Sequence, residues 1–299
     1  MRCFQPIDLY NKKAGHSYNV PCGRCLACRK RHQSEWVLRM DLERRFGYWK
    51  HVYFVTLTYH DSFCPIAGDK FVLWKDDLKL FFKRFRRYYP EYEFKYFACG
   101  EYGDKFDRPH YHIVFYSNEN WKTIKDAINH CWSVSVPAVT PVGNGVFSLD
   151  RSYSVKRRSI GRISVSSVNM RRIRYCAKYV VKDSNSDSEF PKFARSSKGL
   201  GKCCLDDKCF CDACRNSVSY CVYTEDAKPV AIPRYLSHRI FNASQLEQMQ
   251  LTYIRRLPEI SLNLDYETRK RLIRKNWETE QRKQQSLMLQ RSNLFYYGC

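Results

Sequence analysis

The chain has 299 residues, long enough to bury a sizeable core and near two domains by length. It carries 52 Lys+Arg against 30 Asp+Glu, a formal net charge of +22, which excludes an acidic scaffold and makes a polyanion the default partner. Aromatic residues make up 15% of the chain, which excludes a disordered basic tail.

In chain order, residues 1–50 hold a tight cysteine run and then RHQSEWVLRMDLERR, read as a basic helix. HVYFVTLTY (51–59) is a β-branched and aromatic run and predicts a strand. A helix is expected from Lys75 to Tyr89, with Leu78, Phe81, Phe82 and Phe85 at helical spacing and Asp76 and Asp77 in its first turn. EYEFKYFACGEYG (91–103) and PHYHIVFYS (109–117) predict two neighbouring strands across the polar turn GDKFDR. Trp121, Ile124, Ile128 and Cys131 mark a helix. Ile160–Val168 predicts a strand, and Met170–Lys182 a helix started by Asn169. This order suggests an α+β fold in which helices cover an antiparallel sheet. Nucleotide-binding signatures of the GxGxxG or GxxxxGK[ST] type are absent, so ATP-driven unwinding has no support.

The expected organisation is a Cys-containing basic segment (1–50), a core (51–182), a polar loop with a second Cys cluster (183–225) and a basic helical C-terminal segment (226–299). The last segment reads as two helices separated near Pro258. The opening MRCFQPIDLY lacks the apolar stretch of a signal peptide, and no run approaches 18 apolar residues. A cytoplasmic protein with no membrane partner and reduced cysteines is therefore expected.

His110 and His112 alternate along one strand, so both imidazoles face the same side about 6.5 Å apart, close enough to chelate one cation. Glu101, nine residues upstream on the preceding strand, is placed to add a carboxylate; Asp104 and Asp107 in the turn are its rivals. Tyr111, between the histidines, points to the opposite face. In RRIRYCAKYVVK, Tyr175, Lys178, Tyr179 and Lys182 share a helical face opposite an apolar stripe. A tyrosine oxygen can attack a phosphodiester to give a covalent phosphotyrosine, and Lys178 and Lys182 are placed to stabilise the charge. The bland readings are strand-edge histidines and tyrosines that only pack.

Together these motifs resemble the HUH superfamily of rolling-circle replication endonucleases, and are most similar to the initiators of microviruses of the gokushovirus branch. FVTLTY (54–59) resembles the first motif, RPHYHIVF (108–115) with GEYG (100–103) the metal motif, and YCAKYVVK (175–182) the two-tyrosine motif. The likeness spans roughly residues 20–182. It implies an HUH endonuclease fold with a ferredoxin-like or RRM-like antiparallel sheet. It further implies an origin-specific endonuclease and strand-transferase of phage DNA, using Mg2+ or Mn2+ at His110, His112 and Glu101. Such an enzyme nicks the viral strand of the replicative form, retains the 5′ phosphate on tyrosine and leaves a 3′-OH primer. Tyr175 and Tyr179 alternate as nucleophiles, and closure yields a single-stranded circle. Its implied partners are origin DNA and a host helicase and DNA polymerase, in the host cytoplasm if the source is viral.

PCGRCLACRKR resembles the CGxCxxC start of the same initiators. Cys22, Cys25 and Cys28, completed by His32 or Cys3, have spacing suited to structural Zn2+, against ordinary thiols at a turn. GKCCLDDKCFCDACR offers a second such site at Cys209, Cys211 and Cys214, with less regular spacing. The blocks at 29–31, 83–87, 156–158 and 171–174 read as phosphate contacts, and Trp74, Tyr88 and Tyr89 as stacking platforms for unpaired bases. The rival readings are a related HUH enzyme of plasmid replication, mobilisation or transposition, a non-enzymatic nucleic-acid-binding protein stapled by zinc, and a two-His-one-carboxylate oxygenase.

Overall fold

The aromatic and β-branched run at 51–59 forms strand β1 (His51–Thr58) in the computed structural model. The structure describes residues 3, 6–11, 16–103, 106–137, 139–143, 146–149, 155–180, 190–217 and 220–255. Strands β2 (Phe94–Tyr102) and β3 (Pro109–Ser117) form a hairpin, and β4 (Ile163–Ser167) and β5 (Phe193–Ser196) complete one antiparallel sheet of five strands in the order β4-β1-β3-β2-β5. β3 lies at its centre and is almost wholly buried, so both sheet faces are covered.

The helices supply that cover. α1 (Leu26–Phe46), α2 (Lys75–Tyr88), α3 (Trp121–Cys131) and α4 (Met170–Lys178) each bury one stripe. Phe81, Phe82 and Phe85 of α2 and Ile124 and Ile128 of α3 pack with Leu57, Ile113 and Phe115 on one face. Val37 and Met40 of α1 and Ile173, Cys176 and Ala177 of α4 pack with Val114 and Tyr116 on the other. Each large side chain so buried contributes about 2 kcal/mol. This is an α+β fold in which helices flank an antiparallel sheet, an HUH/RRM-like arrangement. Two further helices, Arg234–Ile240 and Ala243–Arg255, follow toward the C-terminus. The second helix expected beyond Pro258 lies outside the described residues. The described helices include none long and apolar enough to cross a membrane.

The chain divides into two units, Gln33–Leu236 with the sheet, and Met1–His32 with Ser237–Cys299. In the first, the segment read as a polar loop contains β5, which pairs with β2 through Phe193↔Gly100 to Ser196↔Phe97. A four-residue edge strand is too short to show a period, which is why its sequence reads as loop. Residues 133–159, left without strands by their sequence, contain two ribbons, Ser133–Pro137 with Val155–Ser159 and Val139–Gly143 with Val146–Leu149. β4 starts at Ile163 and not at Ile160 because the chain passes tightly over β1 at Gly161. A Cβ there would sit 1.9 Å from the Thr58 carbonyl oxygen. Glu43, buried on α1, accepts from Lys95 Nζ (2.9 Å), Trp49 Nε1 (2.8 Å) and the Gly201 amide (2.7 Å), tying the helix to β2 and to the turn after β5.

Candidate metal and tyrosine site

The β2–β3 register sets the site. Glu101 pairs with His110 and Cys99 with His112, while β1 places Thr58 beside His110 and Thr56 beside His112. Residues with the same parity face the same side, so Glu101, His110 and His112 converge at one end of the sheet on the face that carries α4. The turn between the strands is closed by the Gly103 amide donating to the Arg108 carbonyl (2.9 Å), which holds that register. One ligand atom from each of the three residues lies within 4.8 Å of the other two. Asp107 is not in this set, and Asp104 lies outside the described residues.

Both imidazoles aim Nε2 at one atom: His110 lies 2.7 Å and His112 2.9 Å from Glu101 Oε1. Their other nitrogens are tethered. His110 Nδ1 lies 3.1 Å from the Arg108 carbonyl oxygen, which can only accept, so Nδ1 carries the proton and Nε2 is the coordinating nitrogen. His112 Nδ1 lies 3.0 Å from Thr56 Oγ1, and its ring stacks on Phe54 with centroids 5.2 Å apart. Arg108 is itself anchored by Asp61 and the Tyr59 carbonyl. Burial pushes the Glu101 carboxyl up, but hydrogen bonds from His110, His112 and Tyr175 outweigh it and hold the pKa at about 2. Its other oxygen, Oε2, is buried with no hydrogen-bond partner. Two imidazoles, one ionised carboxylate and an orphaned carboxylate oxygen fit a divalent cation.

Asn169 caps α4 by accepting from the Arg172 amide (3.0 Å), and the helix carries the tyrosines to the same place. The Tyr175 hydroxyl donates to Glu101 Oε1, and Tyr179 donates to the Tyr175 oxygen (3.1 Å). The two are not equivalent. Tyr175 is 39% exposed, whereas Tyr179 is 7% exposed and packs within the α4 core. The physical reason lies in the helix end. The helix closes at Lys178, and the Tyr179 and Val180 amides bond three residues back, to Cys176 and Ala177 (both 3.2 Å). That tighter turn moves Tyr179 off the exposed face expected for a regular helix running to residue 182. The Lys178 ammonium lies 5.9 Å from the Tyr179 ring centre, and Lys182 lies outside the described residues. Tyr111 is buried on the opposite face, donates to the Trp74 carbonyl (2.7 Å), and has its pKa raised by burial.

Sequence reasoning assigned no role to Thr56, Phe54 or the Arg108 carbonyl. Only the strand register, which no local motif encodes, reveals them as the groups that orient the imidazoles. Of the two cysteine clusters, Cys22, Cys25 and Cys28 come together with Cys3, and His32 is not in the set. Cys209, Cys211 and Cys214 form no ligand set among the described residues. They share helix Lys208–Asn216, where Cys209 is exposed while Cys211 and Cys214 face inward; Cys211 donates to the Leu205 carbonyl. Several basic residues are engaged inside the fold: Arg84 bonds the Ser133 carbonyl, Arg157 bonds the His130 carbonyl and covers the Tyr88 ring, and Arg174 pairs with Asp226.

The sequence profile of the replication-associated protein ORF2 family matches residues 52–184, which contain the hairpin, the histidines and both tyrosines. Replication-associated protein ORF2 of Spiroplasma virus 4 is 27% identical over 290 residues, 85% of either chain. Replication-associated protein ORF4 of Chlamydia phage 1 is 26% identical over 210 residues, 65% of this chain and 48% of the relative. Replication-associated protein VP4 of Bdellovibrio phage phiMH2K is 28% identical over 204 residues, covering 62% and 57%. No solved structure matches the chain. With its HUH-type candidate metal site on an antiparallel sheet, the chain is homologous, at the level of the family, to phage replication-associated proteins of the HUH superfamily.

Proposed function

We propose that this protein nicks and rejoins DNA at an origin to start and finish rolling-circle replication. The observation that carries this reading is the convergence of both imidazoles and the Tyr175 hydroxyl on Glu101 Oε1, which places a nucleophile against a metal-ligand set. Magnesium or manganese held by Glu101, His110 and His112 supplies positive charge that polarises the scissile phosphate. Tyr175, exposed and hydrogen-bonded to the ligand set, makes the first attack. Its oxygen bonds to phosphorus, the P–O3′ bond breaks, and the 3′ oxygen leaves and takes up a proton. The 5′ phosphate stays on Tyr175 and the 3′-OH primes synthesis by a host polymerase, with a host helicase opening the duplex. Tyr179, one step behind, cleaves the regenerated origin, and the newly released 3′-OH attacks the Tyr175 phosphodiester to close the circle and free the tyrosine. Lys178, and Lys182 beyond it, offset phosphate charge beside the second nucleophile.

A denaturing gel tests this with labelled single-stranded origin DNA and Mn2+. The wild-type protein forms an SDS-resistant adduct that chelator prevents. Tyr175→Phe abolishes the first adduct, Tyr179→Phe leaves it but blocks circle release, and His112→Ala abolishes both. DNA binding without any adduct on origin-bearing strands would sink the enzymatic reading in favour of a non-catalytic nucleic-acid-binding protein.

A further inference from the structure

We propose that Cys3, Cys22, Cys25 and Cys28 bind one structural zinc ion that organises the first 32 residues. The topology brings the ligands together. Ile7–Asn11 and His16–Val20 pair antiparallel with Ile7 opposite Val20, so the chain just before the first strand meets the chain just after the second. Cys3 and Cys22 flank that hairpin, and Cys25 and Cys28 stand at the start of α1. Gly23, at φ +74°, makes the reversal between Cys22 and Cys25, a backbone conformation that a side chain would strain.

The sulfur geometry selects a single tetrahedral ion. Zinc–thiolate bonds of about 2.3 Å at the tetrahedral angle require sulfurs about 3.8 Å apart. Cys3 Sγ lies 3.5 Å from Cys22 Sγ and 3.8 Å from Cys25 Sγ, and all four sulfurs fall within 4.8 Å of one another. A disulfide would need about 2.05 Å. An iron–sulfur cluster places inorganic atoms between its cysteines and needs a wider set. Backbone amides already point at the sulfurs as they would at thiolates: Cys22 N–H to Cys3 Sγ (3.2 Å) and Cys25 N–H to Cys22 Sγ (3.3 Å).

The hairpin also needs the ion. A lone two-stranded ribbon is marginal in water unless it packs on something. Ile7 is 48%, Leu9 43% and Tyr10 64% exposed, so the first strand leaves its apolar side chains largely in solvent. Where apolar burial is this thin, metal ligation is folding free energy.

The test uses the full chain carrying His110→Ala and His112→Ala, so that the other ligand set cannot account for bound metal. Elemental analysis is expected to find one zinc per chain, and cobalt exchange to give the intense thiolate charge-transfer and visible bands of a tetrahedral four-sulfur site. His32→Ala leaves that spectrum unchanged; Cys3→Ser weakens the charge-transfer band and lowers zinc affinity at least tenfold. Chelation makes residues 7–20 cleavable by protease and Cys22, Cys25 and Cys28 alkylatable, which reads the site even where Cys3→Ser misfolds. Absence of stoichiometric zinc with the same thiols alkylated at equal rates with and without chelator would overturn the proposal. So would iron in place of zinc, or loss of the cobalt spectrum in His32→Ala and not in Cys3→Ser.

Discussion

Glu101 Oε1 is the point where three different elements meet, receiving His110 and His112 from β3 and Tyr175 from α4. Groups one bond further out decide how well that point holds a cation. Thr56 is the contact that sets the His112 ring, so Thr56→Val, which keeps the shape and removes the hydroxyl, is expected to weaken Mn2+ binding about 10- to 100-fold by titration calorimetry. The same carboxylate makes a pH prediction. Its pKa is held at about 2 against an ordinary 4.5, so its stabilising contribution is complete above pH 4.5 and is lost as the pH falls through 2. In chelator-treated protein, urea midpoints measured across that window fall more steeply for wild type than for Glu101→Gln. The histidines and Glu101 were legible as residues because strand alternation and a nine-residue hairpin spacing are local facts. Thr56 was not, because its role depends on which strand lies next to β3.

α4 is the element on which the chemistry rides. Its nine residues are too few to be stable alone, and it is held by its cap and by Ile173, Cys176 and Ala177 against the sheet. Asn169→Ala removes the side chain that accepts from the Arg172 amide, and chemical denaturation is expected to show a loss of about 1 kcal/mol. The start of this helix was readable from Asn169 and its inward face from the apolar spacing. Its end was not: the tightening after Lys178, and with it the burial of Tyr179, depends on packing beneath the last turn. β5 makes the same point at the sheet edge. Phe-Ala-Arg-Ser becomes a strand because β2 offers it unpaired amides and carbonyls.

For the molecule as a whole, a net charge of +22 predicts DNA binding whose log Kd rises linearly with log salt concentration. Arg171 and Lys178 are exposed on α4, so neutralising each is expected to lower the magnitude of that slope by about 1 in fluorescence-anisotropy titrations. Arg84 and Arg157, bonded to backbone carbonyls inside the fold, are expected to change stability before they change the slope. Composition, alternation and helical spacing by themselves determined a basic α+β protein and the identities of its two imidazoles, carboxylate and tyrosine pair, because each of those signals is carried by residues near one another in the chain. Only the tertiary structure decided that Cys3 and not His32 joins the cysteine set, that Cys209, Cys211 and Cys214 do not gather, and that Tyr175 and not Tyr179 touches Glu101. Those outcomes rest on hairpin closure, strand register and packing under a helix end, which depend on residues far apart in sequence.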